Sequence, residues 1–116
     1  MPMILVFRHI FYKNYVGLSF WPFILVKHPK LRQDTTLINH EKIHLRQQLE
    51  LLVVPFYIWY LTEWALRTLW YLDAYRAYRN ICFEREAYAN EGREDYLRHR
   101  RPFGFLRYVV LVNAHP

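Results

Sequence analysis

The sequence predicts a mixed α+β fold that is mainly helical and carries a small N-terminal β-sheet or hairpin. Two runs rich in β-branched and aromatic residues, 3–11 and 15–27, come first, and helical stretches follow them. The chain has 116 residues, of which 53% are apolar and 19% are aromatic. This composition excludes intrinsic disorder and predicts one folded domain over residues 1–116.

The N-terminal part, at about 3–27, is predicted to form the strands. Lys13 and Asn14 separate the two runs and suit a turn, so the runs are candidates for a hairpin. Gly17 and Pro22 interrupt the second run. Because proline has no backbone N–H to donate to a sheet, we expect this strand at a sheet edge or at a bulge.

A helix at about 36–54 is predicted to follow the strands. Asp34, Thr35 and Thr36 are all residue types that cap helix N-termini, so the helix is expected to begin near Leu37. Pro55 is expected to end or kink it, because proline lacks the N–H that a helix interior requires.

Later helices are predicted over about 56–98. One stretch covers 56–80 with almost no helix-breaking residue, and another covers 81–97, where Gly92 is a candidate interruption. A short apolar run at 108–112 is either a strand or a docked terminus. Cys82, the one cysteine, lies among apolar and aromatic neighbours, so we expect it to pack rather than to react.

The stretch LINHEKIHLRQQLELL places two histidines, His40 and His44, four residues apart on the first predicted helix. Side chains at i and i+4 lie on one helix face, so both imidazoles can bind one metal ion. Glu41 lies about 100° further round the helix, from where its carboxylate can reach a water on that metal. H-E-x-x-H is the pattern of zinc peptidases whose glutamate is the general base. The alternative is an ordinary pair of helical histidines with Glu41 on a solvated face.

A third metal ligand has to come from elsewhere in the chain. Gln47 and Glu50 stand where the longer pattern H-E-x-x-H-x-x-G-x-x-H has glycine and histidine, so that pattern fails. Gln47 is instead expected to be an exposed helix glutamine, and its alternative role is a contact with substrate or with a group that supports the metal ligands. The later segment FEREAYANE offers Glu84 or Glu86. These side chains lie about 200° apart on a helix, so they cannot both bind the same ion.

With this second segment the sequence resembles the gluzincin group of zinc metallopeptidases, which includes thermolysin-like and integral-membrane prenyl-protein proteases. In that group a glutamate on a later helix binds the metal, and a polar residue, usually aspartate, follows it four positions on. Glu84 with Tyr88 matches this template, and so does Glu86 with Asn90, although neither pair has the aspartate. The resemblance covers residues 37–91 at most and rests on a few positions.

Glu84 is the preferred third ligand, and Glu86 is the alternative. Ala77, Ile81 and Tyr88 share the helix face of Glu84, which is the face expected to turn inward. The face of Glu86 looks solvated, because it carries Arg79, Asn90 and Arg93.

The resemblance implies a zincin-like domain in which His40, His44 and Glu84 bind Zn²⁺ and Glu41 acts as the general base. It also implies a peptide or protein substrate whose backbone pairs with an edge strand ahead of the motif helix. The run 15–27 is the candidate for that strand. Tyr88 is a candidate donor to the oxyanion or a supporting neighbour of the metal ligands, and ordinary core packing is its alternative role.

Charge and aromatic content keep a second class of function open. The formal charge is +6, Arg98, Arg100 and Arg101 form a basic cluster, and residues 57–71 are rich in aromatics. A non-catalytic zinc-binding module, or one that contacts a membrane surface or a partner, is therefore the alternative to a peptidase. We expect no nucleic-acid partner, because no recognition motif is present. Neither a signal peptide nor a full membrane span is recognised, so we expect a cytoplasmic protein, with association with a membrane surface as the alternative.

Overall fold

The computed structural model describes residues 3–7 and 15–109, and it has the mainly helical α+β architecture with a small N-terminal sheet that the sequence predicts. In chain order, the strands and α-helices are β1 (Met3–Val6), β2 (Gly17–Phe20), β3 (Phe23–Val26), α1 (Thr35–Glu50), α2 (Val54–Tyr71), α3 (Ala74–Asn80), α4 (Cys82–Asn90) and α5 (Tyr96–His99). Two 3-10 helices cover Pro29–Gln33 and Gly104–Tyr108.

The sheet has the strand order β1-β3-β2. The second predicted strand is divided at Trp21 and Pro22 into β2 and β3, which form an antiparallel hairpin of their own. β1 pairs with β3 in parallel, with Met3 opposite Phe23, so the expected hairpin between the two runs is wrong. Its turn at Lys13 and Asn14 lies outside the described residues. β2 lies at an edge of the sheet, as predicted for this run, whereas β3, the other half of the run, is the central strand.

Helix α1 packs against the sheet through one apolar face. Asp34 caps it by accepting a hydrogen bond from the Leu37 N–H at 3.0 Å, as predicted. Ile38 and Leu45 bury their side chains with two β3 residues, Ile24 and Val26. Ile43 is also fully buried, and the remaining buried positions of α1 are polar: Asn39, His40, Glu41, His44, Gln47 and Gln48.

Helix α1 ends at Glu50, earlier than predicted, because the chain turns sharply before Pro55. Leu52 and Val53 take left-handed φ values of 63° and 58°, and the axes of α1 and α2 differ by 113°. Pro55 falls in the first turn of α2, where its missing N–H costs no helical hydrogen bond. In the part of the chain that the structure describes, α1 and α2 satisfy the length and hydropathy of a membrane span only as this bent pair, and no single helix does so.

The later helices are divided more than the sequence suggests. Leu72, with a φ of 56°, ends α2, and Asp73 begins α3 by accepting hydrogen bonds from two backbone N–H groups. A left-handed residue followed by a capping aspartate therefore breaks the stretch 56–80 without any glycine or proline. Gly92 lies in the turn after α4, which confirms the predicted interruption.

An aromatic cluster joins α2, α4 and the 3-10 helix Gly104–Tyr108. Phe83 lies at its centre, with ring centroids 4.5 Å from Phe56, 5.4 Å from Trp59 and 4.8 Å from Phe105. Cys82 is fully buried in the same cluster, as expected for a packing residue. Burial raises the pKa of its thiol, so it stays protonated and unreactive.

The left-handed backbone at Leu72 gives a test of this connection. Its side chain is 87% exposed, so glycine at this position loses little packing and relieves a Cβ clash of about 1–2 kcal/mol. Part of that gain is offset by the greater freedom of glycine in the unfolded chain. We expect Leu72→Gly to raise the free energy of unfolding in urea by about 0.5–1 kcal/mol. The matched control is Leu69→Gly inside α2, which should lower the free energy of unfolding by about 1 kcal/mol. If Leu72→Gly lowers it by the same amount, the left-handed backbone conformation at Leu72 is contradicted.

Candidate metal centre

The site lies between α1 and α4, and Asn39 fixes how these two helices face each other. Its Nδ2 lies 3.4, 2.8 and 2.8 Å from the carbonyl oxygens of Asn90, Glu91 and Arg93. These carbonyls belong to the C-terminal end of α4, where helices leave acceptors without an internal partner. Because Asn39 directly precedes His40, these hydrogen bonds hold the end of α4 close to His40.

Three buried side chains, those of His40, His44 and Glu84, converge on one point. The two Nε2 atoms are 3.1 Å apart, and each lies 3.0 Å from the Glu84 Oε1 atom. Bonds of about 2.0–2.2 Å at tetrahedral angles put their ligand atoms about 3.3 Å apart, which is close to this triangle. The three residues could therefore hold a metal ion. Two imidazoles and a carboxylate suit zinc and related divalent ions.

The Gln47 side chain fixes the tautomer of His44. Its Nε2 donates to the Phe83 carbonyl at 3.1 Å and to the Glu86 carboxylate at 2.8 Å, and both partners are acceptors only. Its Oε1 therefore faces His44 Nδ1, at 2.8 Å, and the imidazole must carry its proton there. The lone pair of His44 Nε2 is left pointing at the triangle, which is the state that a metal requires.

Glu91 does the same for His40. Its Oε1 lies 2.8 Å from His40 Nδ1, so the neutral ring that a metal requires keeps its one proton on the side away from the triangle. The sequence analysis missed Glu91, because the aspartate expected four positions after the glutamate ligand is absent. Glu91 instead follows Glu84 by seven residues, or two helical turns, and this spacing was the signal that could have identified it. Gln47 is fully buried, so the preferred expectation of an exposed glutamine is wrong, and its contact with His44 agrees with the alternative role of supporting a metal ligand.

The electrostatics of the metal-free cluster favour a carboxylate between two imidazoles. Burial alone would raise the pKa of Glu84, but attraction to His44 and hydrogen bonds with both histidines lower it far below its ordinary value. Burial lowers the pKa of His40, and the hydrogen bonds to Glu84 and Glu91 outweigh this and raise it to about 10. Tyr60 donates to Glu84 Oε2 at 2.6 Å, which leaves Oε1 to face the two imidazoles.

Glu41 lies beside this cluster and is also buried. Burial raises the pKa of its carboxyl group, although the nearby His44 and His40 and a hydrogen bond from Ser19 act in the opposite direction. Gly17 of β2 passes very close to it: a Cβ on Gly17 would lie 3.2 Å from Glu41 Oε2 and 2.9 Å from a Leu37 methyl group. Only a residue without a side chain lets the strand approach the carboxylate in this way.

Two cavities meet at Glu41. The first, of about 420 Å³, also contains His44 and Glu84 and has apolar and aromatic walls, formed by Leu18, Phe56, Tyr57, Tyr60, Leu61 and Trp64. The second, of about 710 Å³, contains His40 and Glu91 and continues towards Asp34, Asp73 and Tyr75. Gly17, Trp64 and Tyr78 line both cavities. A long molecule could therefore lie across Glu41 and occupy both.

Tyr88, whose role the sequence left open, lies against the His40–His44–Glu84 triangle. Its ring packs edge-on to His40, with centroids 4.5 Å apart, and its hydroxyl group pairs with that of Tyr78 at 2.8 Å. Burial raises the pKa of Tyr88 to about 12 and that of Tyr78 further, so both hydroxyl groups are protonated at neutral pH. Tyr78, which the sequence analysis did not single out, lines both cavities, whereas Tyr88 lines the second.

Glu86, the alternative ligand, points away from the triangle into a second buried charge cluster. Its carboxylate accepts hydrogen bonds from Arg100 Nε at 2.5 Å, Tyr96 at 2.6 Å and Gln47 at 2.8 Å. Glu50 pairs with the same guanidinium at 2.8 Å. The expectation of a solvated Glu86 is therefore wrong, and Arg100 belongs to the interior rather than to a basic surface cluster.

Comparison of the chain with models of known protein families, with curated proteins and with solved structures gives no match. The metal centre therefore rests on the side-chain geometry alone.

Metal binding tests the triangle directly. Glu84→Gln and His40→Ala should each weaken Zn²⁺ binding by at least about 100-fold, because each removes a ligand atom. Glu91→Gln should weaken it by about 10- to 100-fold, because the His40 ring loses the acceptor that orients it. Competition with a chromogenic chelator measures the affinities, and Glu94→Gln on the exposed turn after α4 is the control. Equal affinity in Glu84→Gln and the wild type would remove Glu84 from the centre.

The second charge cluster predicts a stability effect rather than a metal effect. Glu86→Gln leaves the buried Arg100 guanidinium without its main counter-charge. We expect the free energy of unfolding to fall by about 3–5 kcal/mol, as for other buried pairs that lose one partner. Glu94→Gln should change it by less than about 0.5 kcal/mol. A loss of the same small size in both variants, measured by urea denaturation, would mean that the pair contributes nothing.

Proposed function

We propose that the protein is a zinc-dependent peptidase of the gluzincin type, with Glu41 as its general base. The observation that carries this proposal is the position of Glu41, a buried carboxylate that lines both cavities together with residues of the His40–His44–Glu84 triangle. A site that only stores a structural metal has no need for an unligated carboxylate at the junction of two cavities.

The residues divide into those that hold the metal and those that orient them. His40, His44 and Glu84 supply three ligands, and Glu91 and Gln47 keep both Nδ1 protons turned outward. Three protein ligands leave one position open, as in catalytic rather than structural zinc sites. Zn²⁺ in such a site acidifies a water molecule and polarises the carbonyl group of the scissile bond.

Glu41 is the group that moves the proton. It takes a proton from the attacking water as the new C–O bond forms, and it passes that proton to the leaving nitrogen as the C–N bond breaks. Burial raises its pKa above the ordinary value, which suits a group that must both accept and release a proton. The protonated hydroxyl groups of Tyr78 and Tyr88 are the candidates to stabilise the oxyanion, with Tyr78 facing both cavities.

The edge of β2 is suited to hold an extended peptide. The Lys27 N–H donates to the Val16 carbonyl across the hairpin at 3.0 Å. Because backbone groups alternate in direction along a strand, Gly17 turns its own N–H and carbonyl away from β3. An added peptide strand can pair there, directly beside Glu41. The first cavity then receives an apolar side chain of the peptide, since its walls are apolar and aromatic.

Replacing Glu41 by glutamine separates a peptidase from a metal-binding module. Glutamine has nearly the shape of glutamate but cannot accept the proton, so Glu41→Gln should lower the rate of peptide hydrolysis by about 10²- to 10⁴-fold. Its Zn²⁺ affinity should stay close to that of the wild type, because Glu41 is not part of the triangle. The zinc-loaded proteins are incubated with an unbiased peptide library, and mass spectrometry identifies the cleaved bonds.

Two outcomes of this experiment would contradict the proposal. Zinc-loaded wild-type protein that cleaves nothing in the library would remove the peptidase assignment, and a non-catalytic zinc module would remain. Cleavage by Glu41→Gln at the wild-type rate would leave a peptidase with a different base.

A further inference from the structure

The outward face of α2 is apolar along the whole helix. Five large apolar side chains of the helix are 59–74% exposed, and a sixth, directly after it, is 87% exposed: Val54, Ile58, Leu61, Leu66, Leu69 and Leu72. Trp70 adds an exposed indole near the C-terminal end. The helix has 18 residues and is therefore about 27 Å long at about 1.5 Å per residue. Contiguous apolar surface on this scale marks a site that another surface covers.

The polarity of α2 is inverted compared with the usual surface helix. Glu63 and Arg67, the two charged residues of α2, turn inward and form an ion pair at 2.7 Å with side chains only 12% and 14% exposed. Glu63 also accepts hydrogen bonds from Trp59 and from the Cys82 N–H. A helix in water normally directs its charges outward and its apolar residues towards the core. In α2 the fold hides the charges and presents the apolar side.

Two leucines at the ends of α2 reinforce this observation. Leu52 and Leu72 both have left-handed φ values, 63° and 56°, where glycine is the favoured residue. Their side chains are 77% and 87% exposed, so neither leucine stabilises the fold by burial. A large apolar side chain in a strained, exposed position makes sense when its contact lies outside the protein.

The charge on the described surface identifies the occupant as anionic. Six of the ten acidic residues are buried or half-buried, most of them in the two charge clusters and the Glu63 pair, so four exposed carboxylates remain: Asp34, Asp73, Glu94 and Asp95. The exposed cations among the described residues are Lys30, Lys42, Arg32, Arg46, Arg93, Arg98, Arg101 and Arg107. Two copies of this surface repel each other, which argues against α2 as a self-association face.

Two of these cations lie near the connection between α1 and α2. Arg46 precedes the exposed Leu49 by one turn at the end of α1, next to the start of α2. Arg101 is held in the same region, because the Phe103 N–H donates to Glu50 at 2.9 Å. Apolar side chains with arginines at their border are typical of helices that lie in a lipid interface.

We infer that α2 is a docking surface for anionic lipid bilayers, on which it lies parallel to the membrane plane. The apolar side chains from Leu52 to Leu72 enter the headgroup–acyl boundary, and the neighbouring arginines contact lipid phosphates. Leu61 and Trp64 of the same helix also line the first cavity. Docking therefore brings the opening of that cavity to the lipid surface. The inference concerns the exterior of α2 and does not depend on the proposed peptidase activity.

Co-sedimentation with vesicles tests the docking surface. Wild-type protein should bind vesicles of equal parts phosphatidylcholine and phosphatidylglycerol more tightly than vesicles of pure phosphatidylcholine, and added salt should weaken the difference. The double variant Leu66→Gln/Leu69→Gln should lose at least about tenfold in affinity, because two side chains no longer enter the apolar layer. Met3→Gln is the control, since Met3 is an exposed apolar residue on β1, the strand at the sheet edge opposite β2. Both replaced leucines are exposed, so circular dichroism should show an unchanged fold.

Trp70 gives a second measurement on an otherwise wild-type protein. Its fluorescence should shift to the blue when vesicles are added, and Trp70→Phe should remove most of that shift. The inference fails if the wild type does not bind vesicles, if Met3→Gln and the double variant lose affinity equally, or if Trp70 stays in water in the bound state. It also fails if lipid-free protein forms a dimer that the double variant dissociates, because a second copy would then be the occupant.

Discussion

The side-chain amide of Gln47 connects the two buried charge centres of this protein. It is fully buried, its oxygen accepts from His44, and its nitrogen donates to Glu86. On one side lies the His40–His44–Glu84 triangle, and on the other lies the Arg100 guanidinium between two carboxylates. Because a buried amide has no water to replace a lost partner, both centres must keep their geometry together. The 3-10 helix Gly104–Tyr108 and the end of α1 are thus coupled to the metal site through one side chain.

The buried polar side chains of α1 also determine where the apolar core lies. Buried polar groups occupy one side of α1, and so the apolar surface needed for a core has to come from other elements. The sheet supplies it on one side of α1, and the Phe83 cluster supplies it around α4. The core therefore lies on both sides of a polar layer instead of at the centre of the molecule. Such a layer is tolerable because its members satisfy one another, as the hydrogen bonds of Gln47, Glu86 and Glu84 show.

Helical periodicity was sufficient to predict the first half of the site. The spacing of His40 and His44 needs only one helix, and α1 provides it over Thr35–Glu50. The choice of Glu84 over Glu86 also followed from which residues share a face of α4. The burial of Glu86 could not be predicted in this way, because both faces of α4 are covered, one by α1 and one by the chain after Arg100. Periodicity gives the direction of a side chain, whereas its burial depends on segments distant in sequence.

The remaining differences between the predicted and the observed elements come from backbone features that no characteristic residue type marks in the sequence. Leucine and valine at left-handed φ values break the helical stretches at residues 52, 53 and 72, where glycine would have been the recognisable sign. The parallel pairing of β1 with β3 requires a connection across several residues, and the composition of the two runs equally suits a hairpin. Glu91 was missed for a related reason, since its position two turns after Glu84 matters only once Asn39 has fixed the end of α4.

The contact between Asn39 and the end of α4 has a consequence for how substitutions combine. One amide group sets the position of α4 along α1, and both Glu84 and Glu91 travel with that helix. A change at Asn39 that displaces α4 therefore displaces Glu84, a member of the triangle, and Glu91, the hydrogen-bond partner of His40, by the same amount. The effects of substitutions at Asn39 and on α4 should be strongly non-additive. Once a substitution at Asn39 has released α4, a further substitution on α4 has few remaining contacts with the site to remove. Substitutions in α1 and α4 are therefore coupled in their effects, although the residues lie some fifty positions apart in sequence.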